Sequence, residues 1–112
     1  MPRLTTIDPT TDTGPGADLL NGPLKEKQKN IFKGLAAHAP VLEAFMGWSQ
    51  GSKAGALTAA EGEVVQLLAA EKMHCDYCLA AHTMIAQGAG ISEEDCIQIR
   101  KRHSDDPKTQ AL

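Results

Sequence analysis

The sequence predicts an all-α fold without a β-sheet. Apolar residues recur every three to four positions in several segments, which is the period of an amphipathic helix. No run of four or more residues alternates convincingly between apolar and polar, as a half-buried strand does. Residues typical of helix starts and stops, among them Pro40, Thr58 and Gly88, separate the periodic segments. These observations together predict a bundle of helices joined by short connections.

The N-terminal segment is predicted to be a flexible arm. Thr, Asp, Pro and Gly dominate from Thr5 to Gly16, and such a composition cannot bury enough apolar surface to order itself. We therefore assign residues 1–18 to the arm and residues 19–112 to one helical domain. The first six residues lack the apolar core of a secretory signal, so none is expected.

Two helices are predicted after the arm. The first runs from Pro23 to His38, because Ile31 and Leu35 belong to an apolar series at helical spacing. The second, Pro40–Gln50, begins at a proline that stops the preceding helix and suits the first position of a new one.

The third predicted helix begins after a loop at Gly51–Gly55. Thr58 is placed as its N-cap, and Glu61, three residues later, completes a capping box. Val and Leu residues supply its apolar face as far as Lys72. The chain is then predicted to reverse around Lys72–Met73.

Two more helices are predicted in the C-terminal third. The first extends from Cys75 to Gln87 and ends at Gly88-Ala89-Gly90, a glycine-rich stop. The second is capped by Ser92 together with Asp95 and ends near His103. The reversal before Cys75 makes a helical hairpin out of the third and fourth helices.

Composition excludes several classes of function for this chain of 112 residues. Its formal net charge of −3 provides no overall basic surface for nucleic acid or for a membrane surface. No apolar run approaches about 20 residues, so no transmembrane helix is predicted. Aromatic residues make up only 4% of the chain, which makes the core thin. We expect subunit association to compensate for that core.

The most informative pattern is a pair of cysteines with a histidine shortly after it. Cys75 and Cys78 are three residues apart and His82 follows four residues later, so all three share one helical face. Such cysteines can form a disulfide with little backbone movement, and the imidazole can accept or return a thiol proton. A single C-x-x-C among three cysteines is typical of a catalytic pair in a reducing cytoplasm.

Glu63 joins this pattern only if the chain reverses direction. In one straight helix it would lie about 18 Å from the first cysteine, at 1.5 Å per residue. A hairpin hinged at Lys72–Met73 instead places Glu63 opposite His82. The carboxylate then fixes the imidazole tautomer, and the imidazole handles the proton of Cys78. We therefore predict a Glu63–His82–Cys78 proton relay.

These residues resemble the core of the alkyl hydroperoxidase AhpD / carboxymuconolactone decarboxylase superfamily, on its thiol-bearing, AhpD-like side. The resemblance extends from about Leu19 to Leu112, and its specific part is Leu57–Ser92. The matching segments are Leu57-Thr58-x4-Glu63, Cys75-x-Tyr77-Cys78-x-x-Ala81-His82-Thr83 and Gly88-Ala89-Gly90-Ile91-Ser92. It implies an AhpD-like helical bundle in which a helical hairpin carries the C-x-x-C motif.

The resemblance also implies a thiol-dependent peroxidase that needs no cofactor. The second cysteine of the family pair is the peroxidatic one, which makes Cys78 the nucleophile. The first cysteine, here Cys75, resolves the resulting sulfenic acid. His82 and Glu63 match the proton relay of the family. A disulfide reductase that mainly recycles a peroxiredoxin is a variant of the same function.

The partners implied are a hydroperoxide substrate, an external dithiol reductant such as a lipoyl-bearing protein, and further copies of the chain. Family members are usually trimers or hexamers. Tyr77 stands where the best understood branch has a histidine between its cysteines, which leaves the details of proton delivery open. Relatives also continue past a segment like Asp106–Leu112 into further helices. We expect either a natural short form or a missing downstream segment.

Other classes of function stay open at this point. The two thiols and the imidazole could bind a structural or sensing zinc ion. The fourth zinc ligand would come from His74, Cys96 or Glu63. The chain could also be a non-catalytic helical assembly module. A carboxymuconolactone decarboxylase proper is less favoured, because that branch acts on a lactone without a cysteine pair.

Overall fold

The computed structural model describes residues 3–112, and every regular element in this range is helical, as predicted. A short 3₁₀ helix at Ala36–His38 connects the second and third α-helices. The α-helices, in chain order, are α1 (Pro15–Asn21), α2 (Asn30–Leu35), α3 (Ala39–Lys53), α4 (Ala59–Lys72), α5 (Asp76–Gly88), α6 (Glu93–Arg100) and α7 (Pro107–Ala111).

The chain divides into two compact units, with the boundary in the sequence after Ser52. α1 and α2 lie in the first unit, and α4 to α7 lie in the second. The assignment of residues 19–112 to one domain, and of residues 1–18 to a flexible arm, stays a prediction. The first two residues of that arm lie outside the described range.

The predicted helix from Pro23 to His38 is wrong in its boundaries. The chain is helical earlier, in α1, where Pro15 occupies a first-turn position that suits proline. It then turns, and the side-chain amide of Gln28 donates to the carbonyls of Leu20 at 2.6 Å and Leu24 at 3.1 Å. The two carbonyls would accept backbone N–H groups in a continuous helix, and here the Gln28 side chain takes the place of those donors. The apolar residues thus keep a helical spacing across the non-helical stretch between α1 and α2, and this is why the predicted boundaries are wrong.

The first unit has a small aliphatic core. Its fully buried members come from α1, the turn after it, the 3₁₀ helix and α3: Leu20, Leu24, Ala36 and Leu42. Gly16 lies so close to the Ala36 carbonyl that a β-carbon at this position would collide with it. A residue without a side chain is therefore required where α1 meets the 3₁₀ helix.

The second unit is built around the hairpin of α4 and α5, with α6 packed against both. The predicted capping box is present: Glu61 N–H donates to the Thr58 hydroxyl at 3.2 Å, and Thr58 N–H donates to the Glu61 carboxylate at 2.8 Å. α4 ends at Lys72, so the predicted reversal is confirmed. The buried core of this unit comprises Val64, Leu67, Ala86, Cys96 and Ile99.

The C-terminal elements differ in detail from the prediction. The cap at Ser92 is confirmed, since its hydroxyl accepts from Asp95 N–H at 3.1 Å, but α6 ends at Arg100 rather than near His103. α7 was not predicted, because five residues are too few for a periodic pattern. Asp106 caps it by accepting from the backbone N–H of residue 109 at 2.8 Å. Within residues 3–112, no helix has both the length and the apolar character needed to cross a bilayer.

Candidate redox site

The two cysteines of the C-x-x-C motif are joined in a disulfide at the start of α5, with their Cα atoms 5.2 Å apart. Cys75 has an extended backbone and is the N-cap of α5, one residue before the helix begins. Its sulfur accepts from the backbone N–H of Cys78 at 3.2 Å. A helix N-terminus favours negative charge, so reduced Cys75 lies where a thiolate is stabilised.

Glu63 and His82 meet across the α4–α5 hairpin. Nδ1 of the imidazole lies 2.7 Å from Oε2 of the carboxylate. Glu63 is only 6% exposed and is the one buried charged side chain among residues 3–112. A buried carboxylate is costly unless it is hydrogen-bonded, and His82 provides that bond. The structure therefore brings together the two residues that the predicted hairpin register pairs.

The hydrogen bond to Glu63 determines what the imidazole can do. A carboxylate oxygen can only accept, so with Glu63 as a carboxylate the Nδ1–H of His82 is the donor of this hydrogen bond. The other ring nitrogen, Nε2, is then left with a lone pair that can accept a proton. Cys78 lies one helical turn before His82 on α5, and both side chains are half-buried. The arrangement thus combines a thiol, a base and a carboxylate that orients the base.

The other glutamates of α4 are engaged elsewhere. Glu61 belongs to the capping box and forms an ion pair with Lys108, whose hydrogen bond is the largest of the effects that lower the pKa of Glu61. Glu71 accepts from Nε–H of Arg100 at 2.6 Å. Of the three carboxylates on this helix, Glu63 is the one that lies at the imidazole.

Cys96 is separate from the disulfide. It is 1% exposed within the core of the second unit, and burial raises the pKa of its thiol above the usual value. The zinc site considered from the sequence is not assembled here, because the two motif sulfurs are bonded to each other. In the described part of the chain, no three side chains of the metal-binding types converge.

One group of basic side chains in the second unit was not recognised from the sequence. The sequence predicts only that a helix ends near His103. In the structure, Arg100 and Arg102 line a cavity of about 300 Å³ together with Lys72 and His74. The run of basic residues at the end of α6 was the only indication in the sequence of such a cavity. Lys72, which completes the cavity from the end of α4, lies about thirty residues earlier in the sequence.

Comparison with known proteins gives one positive result. A model of the carboxymuconolactone decarboxylase family matches residues 39–103, which is more than half of the chain. The matched span contains both cysteines of the disulfide, together with Glu63 and His82. No curated protein and no solved structure matched the chain with significant similarity.

Proposed function

The chain belongs to the carboxymuconolactone decarboxylase family, and from that premise we propose that it is an AhpD-like, thiol-dependent peroxidase. The family includes decarboxylases and AhpD-like peroxidases. The observation that carries the proposal is the Cys75–Cys78 disulfide at the start of α5, on the same hairpin as the Glu63–His82 hydrogen bond. A pair that can be oxidised and an oriented base are the groups that thiol-based peroxide reduction needs.

Peroxide reduction begins with both cysteines as thiols. Nε2 of His82 accepts the Cys78 proton, and the thiolate attacks one oxygen of a hydroperoxide. An S–O bond forms while the O–O bond breaks, so sulfur is oxidised and peroxide is reduced. The leaving oxygen takes the proton back from His82 and departs as water or an alcohol. Cys78 is left as a sulfenic acid.

The second step forms the disulfide. The Cys75 sulfur attacks the Cys78 sulfenic acid, an S–S bond forms, and the hydroxyl leaves as water with the Cys75 proton. Resetting the enzyme requires two electrons and two protons from an external dithiol. A lipoyl-bearing protein is one reductant of this class. In the variant function, the reset pair passes its electrons to a peroxiredoxin.

Glu63 is a positioning residue in this proposal. It does not touch the substrate, but it holds Nδ1 of His82 by a hydrogen bond. The other ring nitrogen, Nε2, is then available to exchange a proton with Cys78. The imidazolium that forms when His82 takes the thiol proton then lies against the Glu63 carboxylate. The buried setting strengthens that stabilisation relative to water.

We also propose that the chain acts as a homo-oligomer, a trimer or a hexamer like the AhpD-like proteins that it resembles. Its proposed location is a reducing cytoplasm. Tyr77 and Met84 lie two turns apart on α5 and are 50% and 60% exposed. Residues seven apart share a helical face, so they form an apolar stripe beside the motif. A second copy that packed on this stripe would cover it. Light scattering on the purified chain tests the subunit count.

The first experiment is an intact-mass and free-thiol measurement on the reduced protein, before and after one equivalent of hydrogen peroxide. The chain has three cysteines, and we expect the free-thiol count to fall to the one at Cys96. Peptide mapping should locate the new bond at Cys75–Cys78. Thiols that stay unreacted under these conditions contradict the peroxidase assignment and favour an assembly module.

A further inference from the structure

The cavity at the C-terminal ends of α4 and α6 carries an excess of positive charge. Its charged lining consists of Lys72, Arg100, Arg102 and one carboxylate, Glu71, with His74 as a further titratable group. Arg100 is paired with the carboxylate at 2.6 Å. Across residues 3–112, no carboxylate forms an ion pair with Lys72 or Arg102. Two cationic side chains are therefore free to bind an anion.

A larger groove adjoins this cavity, and its surface is mostly apolar although His103, Ser104, Thr109 and Gln110 also line it. It has a volume of about 500 Å³ and shares three lining residues with the cavity: Leu68, Lys72 and Arg102. Val64 and Ile99, both buried, line the groove, and half-exposed Val65 and Leu112 line it as well. The two free cations thus lie where a charged cavity meets an apolar surface.

The backbone at this place departs from the usual way of ending a helix. α4, α5 and α6 all end in the same turn, in which an N–H donates to the carbonyl five residues earlier at 3.0 Å. The left-handed position of this turn is Gly90 after α5, with φ of 95°, as sterics favour. After α4 and α6 it is His74 and Arg102, with φ of 51° and 61°, the only non-glycine residues of the described range with positive φ.

Both unusual residues line the charged cavity. Glycine would relieve the backbone at either position, as it does after α5. The chain instead keeps a side chain that can carry positive charge at each of them. A ligand that needs those charges accounts for both departures.

We propose that the cavity and the groove together bind a carboxylate with a single alkyl chain, a fatty-acid-like amphiphile. The carboxylate lies between Lys72 and Arg102, where a guanidinium can donate two parallel hydrogen bonds. The alkyl chain lies along the groove against Leu68 and Val65. The inference goes beyond the peroxidase proposal, because such binding requires neither thiol to react.

Calorimetric titration of the full chain tests the proposal, with dodecanoate below its micelle-forming concentration as the probe. We expect saturable binding that Lys72→Gln and Arg102→Gln each weaken by about fivefold, the effect of losing one charged contact. Arg102→Lys should retain more affinity than Arg102→Gln, because the charge is kept although the two parallel hydrogen bonds of the guanidinium are lost. Lys101→Gln is the matched control, since Lys101 is exposed and lines neither the cavity nor the groove.

Two further probes separate the headgroup from the tail. Dodecyltrimethylammonium has the same chain and the opposite charge, and it should not compete. Inorganic phosphate should bind far more weakly than dodecanoate, because it has no tail. Equal binding of the cationic amphiphile, unchanged affinity in both charge variants, phosphate binding as tight as dodecanoate, or no saturable binding of dodecanoate would each overturn the proposal.

Discussion

Nδ1 of His82 lies 2.7 Å from Oε2 of Glu63, and these two residues belong to different helices of one hairpin. The bond spans 19 positions of sequence and depends on the turn at the end of α4. A buried carboxylate is paired in the same contact that orients the base. Packing of the hairpin and orientation of the His82 ring are therefore one structural event.

Glu63→Gln should slow peroxide-dependent thiol oxidation by roughly a hundredfold, within the range for losing general acid–base assistance. The amide still fills the space, but it does not stabilise an imidazolium as a carboxylate does. Stopped-flow measurement of the first oxidation step gives the rate. Glu61→Gln, at the capping box, and Glu71→Gln, at Arg100, are the controls. A larger loss in either control than in Glu63→Gln argues against the relay.

Replacing each cysteine of the pair by serine should block the reaction at a different step. Cys78→Ser should abolish peroxide consumption, because the attacking sulfur is gone. Cys75→Ser should allow one oxidation and then stop at sulfenic acid or a higher oxide, because no second thiol resolves it. Mass spectrometry after trapping with a sulfenic-acid reagent distinguishes the two products. Full turnover in Cys78→Ser contradicts the assigned nucleophile.

Cys96 should make the second unit less stable at alkaline pH. Burial raises the pKa of its thiol above the usual value of 9.0, so the unfolded chain loses the proton first as pH rises. Stability from the neutral thiol is fully present below pH 9 and is lost as pH rises toward the folded-state pKa. The slope contributed is at most about 1.4 kcal/mol per pH unit. Denaturant unfolding at several pH values measures it.

Cys96→Ala is the matched control for this pH dependence. It removes a buried sulfur and should lower the free energy of unfolding by about 1 kcal/mol at neutral pH. The alkaline slope attributed to the thiol should disappear in this variant. An unchanged slope means that some other group titrates in that range.

Arg102→Gly should stabilise the protein by about 1 kcal/mol, because glycine adopts the left-handed conformation without steric cost. Gly90→Ala is the reciprocal variant and should destabilise by a similar amount; its β-carbon meets no atom within 4 Å, so only the backbone conformation is tested. Thermal unfolding measures both changes. A destabilised Arg102→Gly would show that the arginine side chain contributes more to folding than its backbone conformation costs.

The parts of the fold that could be predicted are those with local capping chemistry. The structure confirms the two predicted helix starts at Thr58 with Glu61 and at Ser92 with Asp95. They could be predicted because a cap joins residues only three positions apart. The first helix was placed wrongly because apolar spacing persisted through the turn that Gln28 supports. Periodicity reports which residues become buried, and it does not report whether the backbone between them is continuous.

In the second unit, too, one feature could be predicted from the sequence and another could not. The hairpin register needed only a hinge position, so the meeting of Glu63 with His82 could be foreseen. The basic cavity could not, because Lys72 and Arg102 are brought together by the packing of α6 against α4. No local rule in the sequence specifies that packing.

The sulfur of Cys75 belongs both to the disulfide and to the cap of α5. Any change in its bonding therefore alters the acceptor available to the backbone N–H of Cys78, in the first turn of that helix. The amide proton of Cys78 becomes a reporter: its hydrogen-exchange rate should differ between the oxidised and reduced proteins, while amides in the middle of α5 exchange alike. The oxidation state of the Cys75–Cys78 pair can thus be read from a backbone amide in each prepared form of the protein.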